Sequence, residues 1–218
     1  MIRDDSGRCI KLHRGLNTNV KVTTMSKIEE PFDQLVELVQ KLCGGRNPVT
    51  GEVLKTPQIT DDLNPPASKK ALKDLEKEIG HTLSDELKQL LSLHDGQTGN
   101  GPPALGLYSF CSISQLLERY GRHKSTPGDQ KMEQSDDERM QPYYWHPGWL
   151  PIGHWESTEL MVDLAPTNKG TSGQIFFPHN AGFARRLIAP SLNDFLLMTI
   201  EKLKGAPDFY FEYETYSQ

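Results

Sequence analysis

His146 and His154 flank the segment PGWLPIG, His179 follows further along, and Glu156, Glu159 and Asp163 lie between the last two. Converging imidazoles and carboxylates can hold a metal ion, and paired carboxylates can pass a proton as general acid and base. The spacing argues against both chemistries. Fixed ligation needs three or four converging donors, commonly seeded by local pairs such as HxxxH or CxxC, and the chain has neither. On an extended segment Glu159, Met161 and Asp163 share one face, and a carboxylate near a strand end commonly accepts hydrogen bonds from loop amides. There is no GxSxG nucleophile elbow. GNGPPALG superficially offers a phosphate cradle, but Pro102 and Pro103 lack the N–H groups a cradle needs. A hydrolase using Asp163, His154 and His179 is the least favoured reading, and no catalytic residue, metal or cofactor is expected.

The same region is rich in side chains that build interfaces. Tyrosine and tryptophan bury large areas at low entropic cost, so they favour interface centres as well as cores. Trp149 is assigned to the core, and Tyr143, Tyr144 and Trp155 to more open positions. Just upstream, Asp129, Glu133, Asp136, Asp137 and Glu138 are interspersed with lysine and arginine. They read either as a solvated loop or as an acidic patch that steers a basic partner. The candidate partner contacts are therefore Asp136, Asp137, Glu138, Tyr143, Tyr144, Trp155, Glu156 and Glu159.

Composition narrows the partner. A formal net charge of -5 over 218 residues lacks the cationic field that nonspecific nucleic-acid binding requires. Cys9, Cys43 and Cys111 are too few and too scattered for a disulfide framework, which points to a reducing cytoplasm. No apolar run is long enough for a membrane span. A protein partner is expected, and neither a direct nucleic-acid partner nor a membrane.

Residues 1–24 carry Arg3, Arg8, Lys11, Arg14 and Lys21 without a continuous apolar stretch, and read as a flexible leader. Residues 25–66 hold a helix with Phe32, Leu35, Val36, Val39 and Leu42 at helical spacing, then a structured connection. Residues 67–206 form the main domain. Ser68 and Ser84 cap two short helices, LGLYSF reads as a strand, and Ser112 or Ser114 starts another helix. Residues 121–142 read as an exposed acidic insertion. ELMVDLA alternates with period two, as a half-buried strand does; QIFFPHN and RRLIA supply two more strands, and SLNDFLLMTIEKLKG a closing helix. Residues 207–218 form an aromatic, acidic tail. The order predicts α+β, a single domain with a mainly antiparallel β-sheet covered by helices.

Three segments together resemble the SUKH superfamily. LEKEIGHTLSDELKQLLSLHDGQ is similar to its opening helices through Glu76, Leu83, Leu87, Leu91, Asp95 and Gly96. WLPIGHWESTELMVDLAPTNKGTSGQIFF resembles its central block through Trp149, Pro151, Ile152, Gly153, Asp163, Leu164, Pro166, Gly173, Gln174 and Ile175. IAPSLNDFL resembles the closing helix through Ala189, Ser191, Phe195 and Leu196. The resemblance covers roughly residues 68–205; Ser84 stands where proline is usual, Asp95 where asparagine is, and Glu156, Ser157 and Thr158 where glycines are common. It implies a non-catalytic protein-binding domain in which Glu76, Asp95, Gly96, Trp149, Asp163, Gly173, Gln174 and Ser191 are structural motif positions. Two roles follow from it. The first is an immunity-type protein that occludes a basic toxin such as a nuclease; the second is a regulatory scaffold of the cell-wall-assembly type.

Overall fold

The computed structural model describes residues 2–3, 9–12, 22–24, 28–48, 50–125, 131–132, 137–178 and 185–205. Within the segment read as a leader, the described residues form a small antiparallel sheet of β1 (Ile2–Arg3), β2 (Cys9–Leu12) and β3 (Val22–Thr24), which no sequence pattern had suggested. Asp129, Glu133, Asp136, His179 and the tail at 207–218 lie outside the described residues.

Helix α1 (Glu29–Cys43) buries Phe32, Leu35, Val36 and Val39, the apolar stripe that its spacing dictates. After it comes α2 (Ile59–Asp62), a single turn inside the connection that carried no helical period. Helix α3 (Lys69–Ile79) starts where the Ser68 hydroxyl accepts the Ala71 amide at 3.1 Å. Ser84 caps α4 (Asp85–Leu93) in the same way, with Asp85 and Glu86 at the positive end of the helix dipole.

The run LGLYSF is mostly a turn. Leu105 and Tyr108 exchange backbone hydrogen bonds, and only β4 (Ser109–Phe110) joins a sheet. Leu105 is buried as the apolar pattern requires, so its hydrophobicity reports the core and not a strand. Helix α5 (Ile113–Lys124) opens with a capping box between Ser112 and Gln115. It runs into the segment expected as an insertion, at whose far end Met140 is also buried.

The main sheet has the order β4-β5-β6-β7-β8, antiparallel throughout, with β5 (Trp149–Trp155), β6 (Thr158–Asp163), β7 (Gln174–Phe177) and β8 (Arg186–Ala189). Proline inside β5 is accommodated by a bulge between Pro151 and Gly153, where the ladder shifts register. The closing helix α6 (Leu192–Gly205) packs on β7 and β8, α1 and α4 pack on α6, and α5 lies on β5.

The period-two reading of β6 needs correction. Leu160, Met161, Val162 and Asp163 are all buried, because β6 is the central strand and both of its faces are covered. Edge-to-face ring pairs tie the layers together: Phe32 of α1 against Phe110 of β4 at 6.2 Å, and Trp149 of β5 against Phe176 of β7 at 5.2 Å. Burying each such ring contributes about 1.5–3 kcal/mol. Among the described residues no helix is long and apolar enough to cross a membrane.

Candidate functional site

Antiparallel register sets Trp149 opposite Asp163 and Asp163 opposite Gln174, so three strands present these residues in a row at one end of the sheet. Asp163 is fully buried, and one carboxylate oxygen accepts the Ala165 amide at 2.9 Å while the other accepts Gln174 Nε2 at 2.9 Å. Burial pushes the Asp163 carboxyl up to about 6, against the opposing pull of the Ala165 amide, Gln174, the Trp149 indole and Arg185. The indole N–H itself has no acceptor in hydrogen-bonding geometry, so its help is electrostatic. Gln174 uses both ends of its amide: Nε2 also donates to the Arg139 carbonyl at 3.2 Å, and Oε1 accepts the Thr171 amide at 3.1 Å. Gly173, at φ 96, packs where a Cβ would press on the Ser84 side chain, which lets this turn meet the start of α4.

The loop before β5 is zipped onto this end. Arg139 clasps Asp137 through Nε at 2.9 Å and Nη2 at 2.6 Å, and the Thr167 amide donates to the Arg139 carbonyl. Burial would raise the Asp137 carboxyl, but Arg139 outweighs it and holds the group below the usual range. Glu138 forms an exposed ion pair with Lys169 across the turn. Arg185 is buried, donates to the Gln141 carbonyl at 2.8 Å and stacks over Trp149 at 4.9 Å. His146 packs against Trp149, Tyr143 and His81, and burial lowers its pKa, with His81 adding to the effect. Tyr144 is 46% exposed, among the most open large apolar side chains described.

The other candidates sit elsewhere. Trp155 and Glu156 occupy the β5–β6 hairpin, at the opposite end of β5 and about 20 Å away at ~3.3 Å per residue. The Glu159 side chain is only 13% exposed and meets Arg119 at 3.1 Å and His123 in a shorter contact, both from α5. Burial alone would raise its carboxyl, yet His123 and then Arg119 hold it below the usual range. His154 pairs with Glu159 in the ladder, so it stands at the far end of the hairpin from Asp163, and these two cannot share one reaction centre. Burial pushes the Cys111 thiol up to about 12, which leaves it unreactive. Among the described residues no group of three His, Cys, Asp or Glu side chains converges on a metal position.

The remaining motif positions join elements. Glu76 accepts the Leu83 amide at 2.9 Å and meets Lys88 at 2.8 Å, closing the turn between α3 and α4. The Asp95 carboxylate accepts the Ile113 amide at 2.7 Å at the start of α5. At Gly96, φ is 67 and a Cβ would collide with the Ser112 backbone. The Ser191 hydroxyl accepts the Asp194 amide at 3.1 Å in the first turn of α6.

A model of the SMI1 / KNR4 family (SUKH-1) matches residues 66–198, more than half of the 218-residue chain. The chain belongs to this family. It is 24% identical to the "Glucan synthesis regulatory protein" of Neurospora crassa, over 68% of this chain and 36% of that protein. It is 27% identical to the "Cell wall biosynthesis/cell cycle regulator smi1" of Schizosaccharomyces pombe, over 56% of this chain and 28% of the relative. Against "KNR4/SMI1 homolog 2" of Debaryomyces hansenii it is 24% identical, over 68% of this chain and 33% of that protein. The chain thus spans about a third of the length of these curated relatives.

The SMI1 / KNR4 match begins at residue 66, yet two structural supports of the domain precede it. One is α1, which packs on α4 and α6. The other is Asp62, a fully buried carboxylate that sequence reading missed. It accepts Gln97 Nε2 at 2.8 Å, the Thr98 hydroxyl in a shorter contact, and the Gly99 and Asn100 amides at 3.1 Å each. Gln97 in turn accepts the Ala104 and Phe110 amides at 2.9 Å, so the glycine-rich loop is held from within. Burial would raise the Asp62 carboxyl, and the Thr98 and Gln97 hydrogen bonds outweigh it to lower its pKa. The one signal available was a carboxylate in an otherwise turn-like segment ahead of NPP.

Proposed function

We propose that the chain is a regulatory binding module of the cell-wall-assembly type, which acts by holding partner proteins and carries out no reaction itself. The observation that carries this reading is the family membership, together with relatives whose names are those of a glucan synthesis regulator and a cell wall biosynthesis regulator. These names favour the scaffold role over the immunity-type role, which has no comparable support. The sheet end suits the role. Asp163, Gln174, Asp137 and Arg139 satisfy one another and the loop amides, so the rim that carries Glu138, Tyr143 and Tyr144 is preorganised before a partner arrives. Trp155 and Glu156 offer a second, separate contact region at the hairpin.

Proximity labelling tests the reading. The chain, fused to a biotin ligase and expressed in Neurospora crassa, is expected to label proteins of cell-wall glucan assembly above the unfused ligase. A labelled set equal to that of the unfused ligase would contradict it.

A further inference from the structure

Away from the sheet end, α3 and α5 lie side by side, and between them runs an open groove of about 470 Å³. Its apolar floor comes from Ala71 and Leu75, one turn apart on α3, and from Ile113 and Leu117, one turn apart on α5. The volume lies within the range of ligand pockets, but its walls are two helices, and its lining runs from Ala71 to Glu78 and from Ile113 to Lys124, roughly 10–16 Å at ~1.5 Å per residue. That form fits a third helix better than a small molecule.

Charge on α3 is sorted about this groove. Asp74 and Glu78, one turn apart, line it, whereas Lys69, Lys73 and Lys77 repeat at the same spacing and do not. Lys70 meets Asp74 at 2.5 Å on the exposed flank and offsets part of this wall, so Glu78 carries most of its negative charge. Gly121 supplies an independent observation. It lies inside α5, where glycine is destabilising relative to alanine, and a Cβ built there meets no atom within 4 Å. Nothing in the described fold requires the missing side chain, but it opens the lip of the groove to the backbone of an incoming segment.

We infer that the α3–α5 groove seats a basic amphipathic helix of a partner protein, with aliphatic side chains four residues apart on the floor and lysines or arginines against Asp74 and Glu78. This rests on the binding-module reading and adds where, and by what chemistry, one partner docks. Lys124, in the last turn of α5, lines the same groove and favours an acidic or C-terminal group at that end of the incoming helix.

The test is selection from a displayed library of random helical peptides on the full chain, followed by anisotropy titration of the selected peptides. Selected peptides are expected to pair aliphatic residues four apart with flanking lysine or arginine. Gly121→Trp and Glu78→Lys should each weaken them at least about tenfold, with Tm unchanged or raised for Gly121→Trp. Selected peptides that are acidic, that ignore both substitutions, or that cannot be obtained would overturn the inference. So would a dimer of the wild-type chain that Gly121→Trp dissociates, since the occupant would then be a second copy. Proximity labelling separates this from the broader reading. Labelling of wall-assembly proteins that survives both substitutions removes the groove and leaves the binding module, whereas a wild-type chain that labels nothing removes the module.

Discussion

Gln174 Nε2 donates to the Asp163 carboxylate at 2.9 Å, joining the first residue of β7 to the last residue of β6 across a turn that Gly173 closes. The same amide nitrogen reaches the Arg139 carbonyl, so one side chain ties the strand pair to the loop that precedes β5.

This pairing predicts an unusual pH response. The Asp163 carboxyl sits at about 6 in the folded chain against about 3.9 in an unfolded one. The native state therefore binds the extra proton between those values, and its stability falls as pH rises through that window. The span corresponds to roughly 3 kcal/mol at most, most of it lost by pH 7. In Asp163→Asn the contribution disappears, and a donor then faces the Gln174 donor, which costs about 1–3 kcal/mol. Urea unfolding should show wild type losing about 1 kcal/mol relative to Asp163→Asn between pH 5 and pH 7. Parallel curves for the two chains would remove the buried-carboxylate account.

Glu159 has the opposite sign. Its folded pKa is depressed by His123 and Arg119, so the stability it contributes is present above the ordinary carboxylate range and is lost as pH falls through its folded value. Glu159→Gln should lower stability by about 1–3 kcal/mol at pH 7, since Arg119 and His123 lose a largely buried partner, and the deficit should shrink progressively as pH falls below the ordinary carboxylate range. Acid titration of both chains, followed by circular dichroism, checks it.

The local elements were legible because their chemistry is local. Ser68, Ser84 and Ser112 each satisfy an amide three residues on, and the stripe of α1 repeats every three or four residues. Strand β5 was hidden because Pro151 and Gly153 both speak against a strand, and only the bulge reconciles them with the ladder. Asp137 and Glu159 looked like open acids, yet Arg139 holds the first and α5 covers the second with His123 and Arg119, 36 and 40 residues away in the chain. Such pairing has no sequence period. Asp62 was invisible for the same reason, its donors lying 35–38 residues downstream.

Asp62 also sets a boundary. Asp62→Ala strands the Gln97, Thr98, Gly99 and Asn100 donors and should cost about 2–4 kcal/mol, with loss of amide-exchange protection across residues 97–104. A chain trimmed to residues 66–205, which keeps α6 whole, loses α1 as well, and should show weakened near-ultraviolet circular dichroism while the remaining helices keep their far-ultraviolet signal. A sharp, cooperative transition in the trimmed chain, with wild-type Tm, would show that α1 is dispensable.

Tyr143 and Tyr144 stand on the rim that we propose holds cell-wall-assembly partners. Tyr143→Ser with Tyr144→Ser changes a half-buried and an open ring, and should alter Tm by no more than about 2–4 °C. Proximity labelling with this chain beside wild type should show wall-assembly proteins labelled by the wild-type chain and at least about tenfold less by the double variant. Equal labelling by both would contradict the rim as the holding surface, and a wild-type profile no different from free ligase would contradict the holding of those partners itself.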